Sequence, residues 1–181
     1  GSRMINARIE TIFQSKAFFP AFQSQRCIVP VNGFYEWSGG KGKRQPYLIT
    51  DPRKDIIALA GLWERWSLPT GVGARSGSDN SFSGRIVETY TILTTKAAPE
   101  IKDIHRRMPI IIEPKLFDHW LQKETKKYDH TALQELLEPK NKNLRAVPVS
   151  NRVNDVRNDD SKCAVATDNL ISISNLQGNL F

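Results

Sequence analysis

The chain has 181 residues, 39% of them hydrophobic, which is enough for one domain with a buried core. Lysine and arginine number 26 against 19 acidic residues, and the net charge of +7 suits a polyanionic partner such as nucleic acid, though a solvated basic surface gives the same balance. No apolar run approaches the roughly 20 residues of a membrane span and the start carries no signal-peptide pattern, so a membrane partner is not expected and the cytoplasm is the expected location.

In chain order, residues 27–37 and 46–50 read as strands, bridged by the glycine-rich, basic segment "SGGKGKRQ". Within the first strand region, the "VPVNG" stretch reads as turn chemistry that sets the strand register. Residues 56–66, "IIALAGLWERW", read as a buried strand with Trp63 near its end. Residues 67–84 are Gly/Ser-rich and read as a long loop, and 86–95, "IVETYTILTT", as the strand that returns from it. A short strand is expected over 107–113, "RMPIIIE". A helix follows over "EPKLFDHWLQK", with Pro114 in its first turn and Leu116, Phe117, Trp120 and Leu121 on one side. A second helix is expected at 130–138 and a last strand at 145–149. Strands without a βαβ rhythm imply an α+β fold: a mainly antiparallel, barrel-like sheet with a few peripheral helices. One domain is expected over 1–160, with a tail over 161–181.

Cys27 and Cys163 make neither a disulfide framework nor a metal-spaced cluster, and His105, His119 and His130 fall in no HxxxH or HExxH spacing. There is no GxGxxG or GxxxxGKS loop. No metal and no nucleotide cofactor is therefore expected.

Four segments stand out together: "MINARIET" (4–11), "RCIVPVNGFYEW" (26–37), "TILTTKAAPEIKDIHRRMP" (91–109) and "VPVSNRVNDVRND" (147–159). In order and spacing they resemble the SOS response-associated peptidase (SRAP) family, also called abasic-site processing proteins, and the resemblance covers nearly the whole chain. It implies a protein that binds single-stranded DNA and reacts covalently with abasic sites at the DNA, hence in the nucleoid. In that chemistry the amine of an N-terminal cysteine forms a Schiff base with the ring-opened sugar, and its thiol closes a thiazolidine. A lyase activity and the self-removal of the initiator methionine accompany it. The resemblance assigns Asn6, Glu36 and His105 as catalytic. It assigns Arg8, Thr94 and Arg107 to the DNA-binding pocket.

The residues also admit plainer readings. Glu36, between Tyr35 and Trp37, becomes a neutral acid if it points inward, but as a strand residue it could equally face water. His105 offers an imidazole able to shuttle a proton, and Arg106 and Arg107 beside it suit phosphate; loop solvation is the alternative. Asn6 can hold an amine or an aldehyde oxygen, or serve a turn. On a strand it shares a face with Arg8. Lys43 and Arg44, at the basic bridge, are expected to touch DNA backbone. Trp63, Trp66, Phe34 and Tyr35 could stack on bases, with core packing favoured for Phe34 and Trp63.

The family's nucleophile stands in a Met-Cys-Gly-Arg start, whereas this chain begins "GSRMINAR", so that cysteine and about the first third of the family domain are expected to be missing from it. Cys27 lies mid-chain in an apolar strand and reads as a small buried hydrophobe. The end, "LQGNLF", offers Gln177, Leu180 and Phe181 as a clamp-binding peptide of the kind that tethers bacterial proteins to the replicative sliding clamp, although Gly178 replaces the usual leucine. A non-catalytic single-strand-binding module is one rival reading. A protease acting on other proteins is another, but there is no serine elbow to support it.

Overall fold

The computed structural model of the chain describes residues 4–40, 44–67, 86–122 and 143–167. The expected loop at 67–84 lies almost wholly outside these residues. The expected helix at 130–138, Lys43, and the tail residues Gln177, Leu180 and Phe181 lie outside them altogether. The described residues divide into two compact units.

The first unit is formed by residues 4–30, 58–67, 86–96 and 108–122. Its sheet contains β1 (Asn6–Arg8), β2 (Arg26–Val31), β5 (Ile57–Ser67) and β6 (Ile86–Lys96) in the order β1-β6-β5-β2, with β7 (Arg107–Pro109) paired to β6. β5 and β6 are antiparallel, with Trp63 opposite Tyr90 and Arg65 opposite Glu88. β1 lies parallel to β6, with Arg8 opposite Thr94. The expected strand 107–113 is ordered as a strand only to Pro109. Beyond it Ile110 and Ile112 still bond to their neighbours: Ile110 N–H donates to Leu93 O and Ile112 N–H to Ala58 O, at 2.9 and 2.8 Å.

A 3₁₀ turn (Ile9–Gln14), α1 (Phe19–Ser24) and α2 (Phe117–Leu121) flank this sheet. Ile9 and Ile12 from the turn, Phe22 from α1 and Trp120 from α2 are buried with Leu62 and Leu93 of the sheet. Phe22 packs edge-on to Phe13 and Trp120, with ring centroids 5.6 and 6.1 Å apart, and its full burial is worth about 1.5–3 kcal/mol. Arg26 joins the helices to the sheet: its guanidinium donates to the carbonyls of Phe22, Trp120 and Gln122 and lies over the rings of Phe22 and Trp120. The helix expected over 113–123 is a 3₁₀ turn (Pro114–Leu116) running into the five-residue α2.

The second unit is formed by residues 31–40, 44–57, 97–107 and 143–167. Its sheet is antiparallel, in the order β3 (Phe34–Ser38), β4 (Gln45–Thr50), β8 (Arg145–Pro148). Asp51, just past β4, has a fully buried side chain that accepts from the backbone N–H, Nε and Nη2 of Arg53.

Two expectations change here. Among the described residues the sheets are two open, mostly antiparallel arrays, not closed into a barrel. The "VPVNG" stretch does not close a hairpin, because β2 and β3 belong to different sheets. Asn32 Nδ2 instead donates to Asp55 O at 2.9 Å. Gly33 is needed for space rather than for a left-handed turn: a Cβ there would stand 2.6 Å from Ile49 O. Among the described residues no helix is long and apolar enough to cross a membrane.

Candidate active site

β3 is rich in aromatic residues that favour a pleated strand, and all five of its residues are half-buried. The side chains of Tyr35 and Trp37, two residues apart, share a face, with ring centroids 6.5 Å apart. Glu36 lies between them, so its side chain projects to the other face. That side chain is only 19% exposed, and the water-facing reading of Glu36 does not hold. Opposite it on β4 is Tyr47. The Trp37 indole N–H donates to Asn154 Oδ1 at 2.7 Å, which ties β3 to the 3₁₀ turn Asn151–Asn154.

His105 comes from a short loop that is held at both ends. Ala97 N–H donates to Arg106 O at 3.0 Å, and the fully buried Ala98 and Ile101 anchor the turn between them. With these two inside, Lys102, Asp103, His105 and Arg106 face outward. His105 Nδ1 then lies 2.9 Å from Arg107 O and 3.2 Å from Glu36 Oε2. A backbone carbonyl can only accept, so Nδ1 carries the proton and Nε2 is the ring nitrogen left for chemistry.

Burial raises the Glu36 carboxyl above the ordinary glutamate value. His105, through its charge and hydrogen bond, and the Trp37 amide pull it the other way without cancelling the burial. A carboxyl raised toward its neutral form and touching an imidazole can give and take protons. The pair lines an open cavity of about 400 Å³. Trp37, Gly39 and Arg44 line one part of it, and residues 102–106 the other. Gly39 holds φ 106°, a left-handed backbone that favours glycine.

The remaining expected residues fall as follows. Asn6 and Arg8 are exposed on β1, on either side of the buried Ala7, so they share a face as the period of two requires. Thr94 pairs with Arg8 across the strands, and its hydroxyl donates to Ala7 O at 3.2 Å. These three residues belong to the first unit, while Glu36, His105, Arg107 and Arg44 belong to the second. Lys102, Asp103 and Trp37 also line the cavity and are not among the expected site residues; for the first two the local signal is the charged run "KDIHRR" around the histidine. Trp63 is not core: it is 37% exposed, on the outer half of β5, where burial ends at Leu62. Burial raises the thiol of the half-buried Cys27 above its ordinary value, and Cys163 is buried. Among the described residues no group of three or more His, Cys, Asp and Glu could hold a metal.

The family model described as SOS response associated peptidase (SRAP) matches residues 1–156. The chain is 36% identical over 160 residues to the abasic site processing protein YoqW of Bacillus subtilis, covering 87% of this chain and 65% of YoqW. It is 29% identical over 180 residues to the abasic site processing protein HMCES of Gallus gallus, covering 88% of this chain and 49% of HMCES. The chain thus spans about half to two thirds of these relatives' length. A crystal structure of a protein from Bacteroides thetaiotaomicron superposes with a TM-score of 0.72 at 27% identity, over 92% of this chain and 67% of that one. One from Bordetella bronchiseptica gives 0.61 at 28% identity, over 80% and 64%. With its four segments in order and the family model matched over most of its length, the chain belongs to the SRAP family.

Proposed function

We propose that this chain acts in abasic-site processing, binding single-stranded DNA and using Glu36 and His105 to move protons during reaction with the ring-opened sugar. The observation that carries this reading is the 3.2 Å contact between the imidazole and the burial-raised carboxyl in one open cavity. When an amine adds to the sugar aldehyde it gives a carbinolamine, and this must lose water to become an imine. The neutral Glu36 acid gives its proton to the departing hydroxyl, and the resulting carboxylate takes the proton released from nitrogen. His105 Nε2 is free to accept a proton from the sugar hydroxyl as the ring opens.

In this reading Asn6 holds the amine or the aldehyde oxygen, and Arg8, Thr94, Arg107, Lys43 and Arg44 hold the strand. The thiazolidine crosslink, the associated lyase reaction and the removal of an initiator methionine all need an N-terminal cysteine. Cys27 and Cys163 stand mid-chain with acylated nitrogens and cannot serve. The end of the chain, Gln177, Leu180 and Phe181, is proposed as a sliding-clamp peptide, and deleting 177–181 should abolish clamp binding.

The reading is tested by comparing affinity for single-stranded oligonucleotides with and without a tetrahydrofuran abasic analogue. Tighter binding of the lesion, reduced in Glu36→Gln, is expected. Equal affinity would make the chain a binding module without lesion recognition.

A further inference from the structure

We infer that Arg44, Lys102 and Arg106 form a phosphate-binding rim on the cavity that holds Glu36 and His105. All three line that cavity. They reach it from two separate pieces of backbone: Arg44 directly precedes β4, while Lys102 and Arg106 flank His105 on the loop closed by Ala97 and Arg106. A charged run along one segment is ordinarily a solvated face. Here the charges converge on one concave site, on backbone held by strand pairing and by the buried Ala98 and Ile101.

The electrostatics are one-sided. Several other cations in the same unit pair off: Arg53 and Lys54 with Asp51, Arg152 with Asp160, and Arg157 with Asp155. Arg44, Lys102 and Arg106 have no ion-pair partner among the described residues. One acid, Asp103, shares the rim, so positive charge remains in excess there. Glu36 is a second acid on the cavity, and the three cations still outnumber the two carboxyls. Two planar guanidinium groups and one ammonium suit a tetrahedral oxyanion, which guanidinium can bind through paired N–H donors. A cavity of about 400 Å³ has room for a phosphate and its attached sugar.

The phosphate is a backbone phosphodiester if the function proposed above holds, and the inference rests on that reading only for the source of the anion. Such a grip would fix one phosphate beside the Glu36–His105 pair and so determine which sugar of the strand meets it.

Two measurements on the full chain separate the two ideas. Inorganic phosphate is titrated while the His105 ring signals are followed by NMR, and the salt dependence of oligothymidylate binding is measured. Both are repeated on Lys102→Gln/Arg106→Gln and on the charge-keeping Lys102→Arg/Arg106→Lys, with circular dichroism as a fold check. Phosphate should shift the His105 signals saturably, at least about tenfold more weakly in the glutamine pair and near parental strength in the charge-keeping pair. The slope of log affinity against log salt should fall by about 1.4 in the glutamine pair, roughly 0.7 for each lost single-strand phosphate contact. Absence of a saturable phosphate shift in the parent would overturn the inference. So would an oligothymidylate slope unchanged in the glutamine pair, leaving the DNA reading intact. Phosphate binding without any oligothymidylate binding upholds the rim as an anion site and overturns the DNA reading.

Discussion

His105 Nδ1 stands 3.2 Å from Glu36 Oε2 while it also faces Arg107 O at 2.9 Å. Two acceptors thus converge on one ring nitrogen. The contact fixes the imidazole by its Nδ1 side and leaves Nε2 as the ring nitrogen for proton transfer.

The Glu36 carboxyl should titrate above ordinary glutamate, and in His105→Gln it should titrate higher still, because the histidine is what pulls it down. Side-chain ¹³C NMR reads both midpoints. The linked stability has a definite sign. Between the unfolded value of about 4.3 and the raised folded value, the native state holds more protons than the unfolded chain, so rising pH costs stability across that window. Glu36→Gln lacks this loss and should gain on the parent between pH 4 and pH 8 in urea unfolding. A stability difference independent of pH would contradict the raised value.

No stable adduct should form at Cys27 or Cys163 when the 181-residue chain is incubated with abasic single-stranded DNA. Neither nitrogen is free to make the imine that precedes thiol closure. Burial also keeps the Cys27 thiol protonated, and only the thiolate is a good nucleophile. A denaturing gel followed by peptide mapping checks this, and a heat-stable crosslink at either cysteine would refute it.

Gly33→Ala should destabilise the chain by about 2 kcal/mol, or roughly 4–8 °C in Tm for this size. Its Cβ would meet Ile49 O at 2.6 Å, a backbone atom fixed by the pairing of Phe34 with Ile49. Gly40→Ala meets nothing within 4 Å and serves as the neutral control. Thermal melts of the two variants should separate clearly, and equal melting would mean that the crossing at Asn32–Gly33 tolerates a side chain.

Asp51→Ala should cost about 2 kcal/mol near neutral pH, since a buried carboxylate bonded three times to Arg53 is lost. Those bonds, led by the side-chain bond from Arg53, hold the Asp51 carboxyl below the ordinary aspartate value. Its contribution is therefore complete above the unfolded value of about 3.9 and disappears as pH falls through the lower folded value. Denaturant midpoints of parent and variant should converge in acid, and a gap that persists unchanged at pH 2 would argue against this role.

The strands around Glu36 were legible because their signals are local: β-formers at 34–38, a period of two that put Asn6 and Arg8 on one face, and turn residues between runs. The 3₁₀ start at Pro114 was half-legible, since proline marks a helix entry without fixing its type. The "VPVNG" stretch misled because Asn-Gly signals a tight turn, while the same two residues also serve where one backbone must pass close to another. Trp63 misled because an apolar run gives no sign of where the sheet outgrows its covering layer.

By itself, then, the sequence determined the family, most of the described strands, and the residue types of an acid–base pair with basic neighbours. It did so because those features rest on near neighbours in the chain. Only the tertiary structure decided that β1 lies along β6 more than 80 residues away, that β2 and β3 part into separate sheets, and that Arg44 meets Lys102 and Arg106 around one cavity. Strand partners are chosen by which pairing buries the most apolar surface at once, and that choice depends on the whole chain and leaves no mark in any short stretch of it.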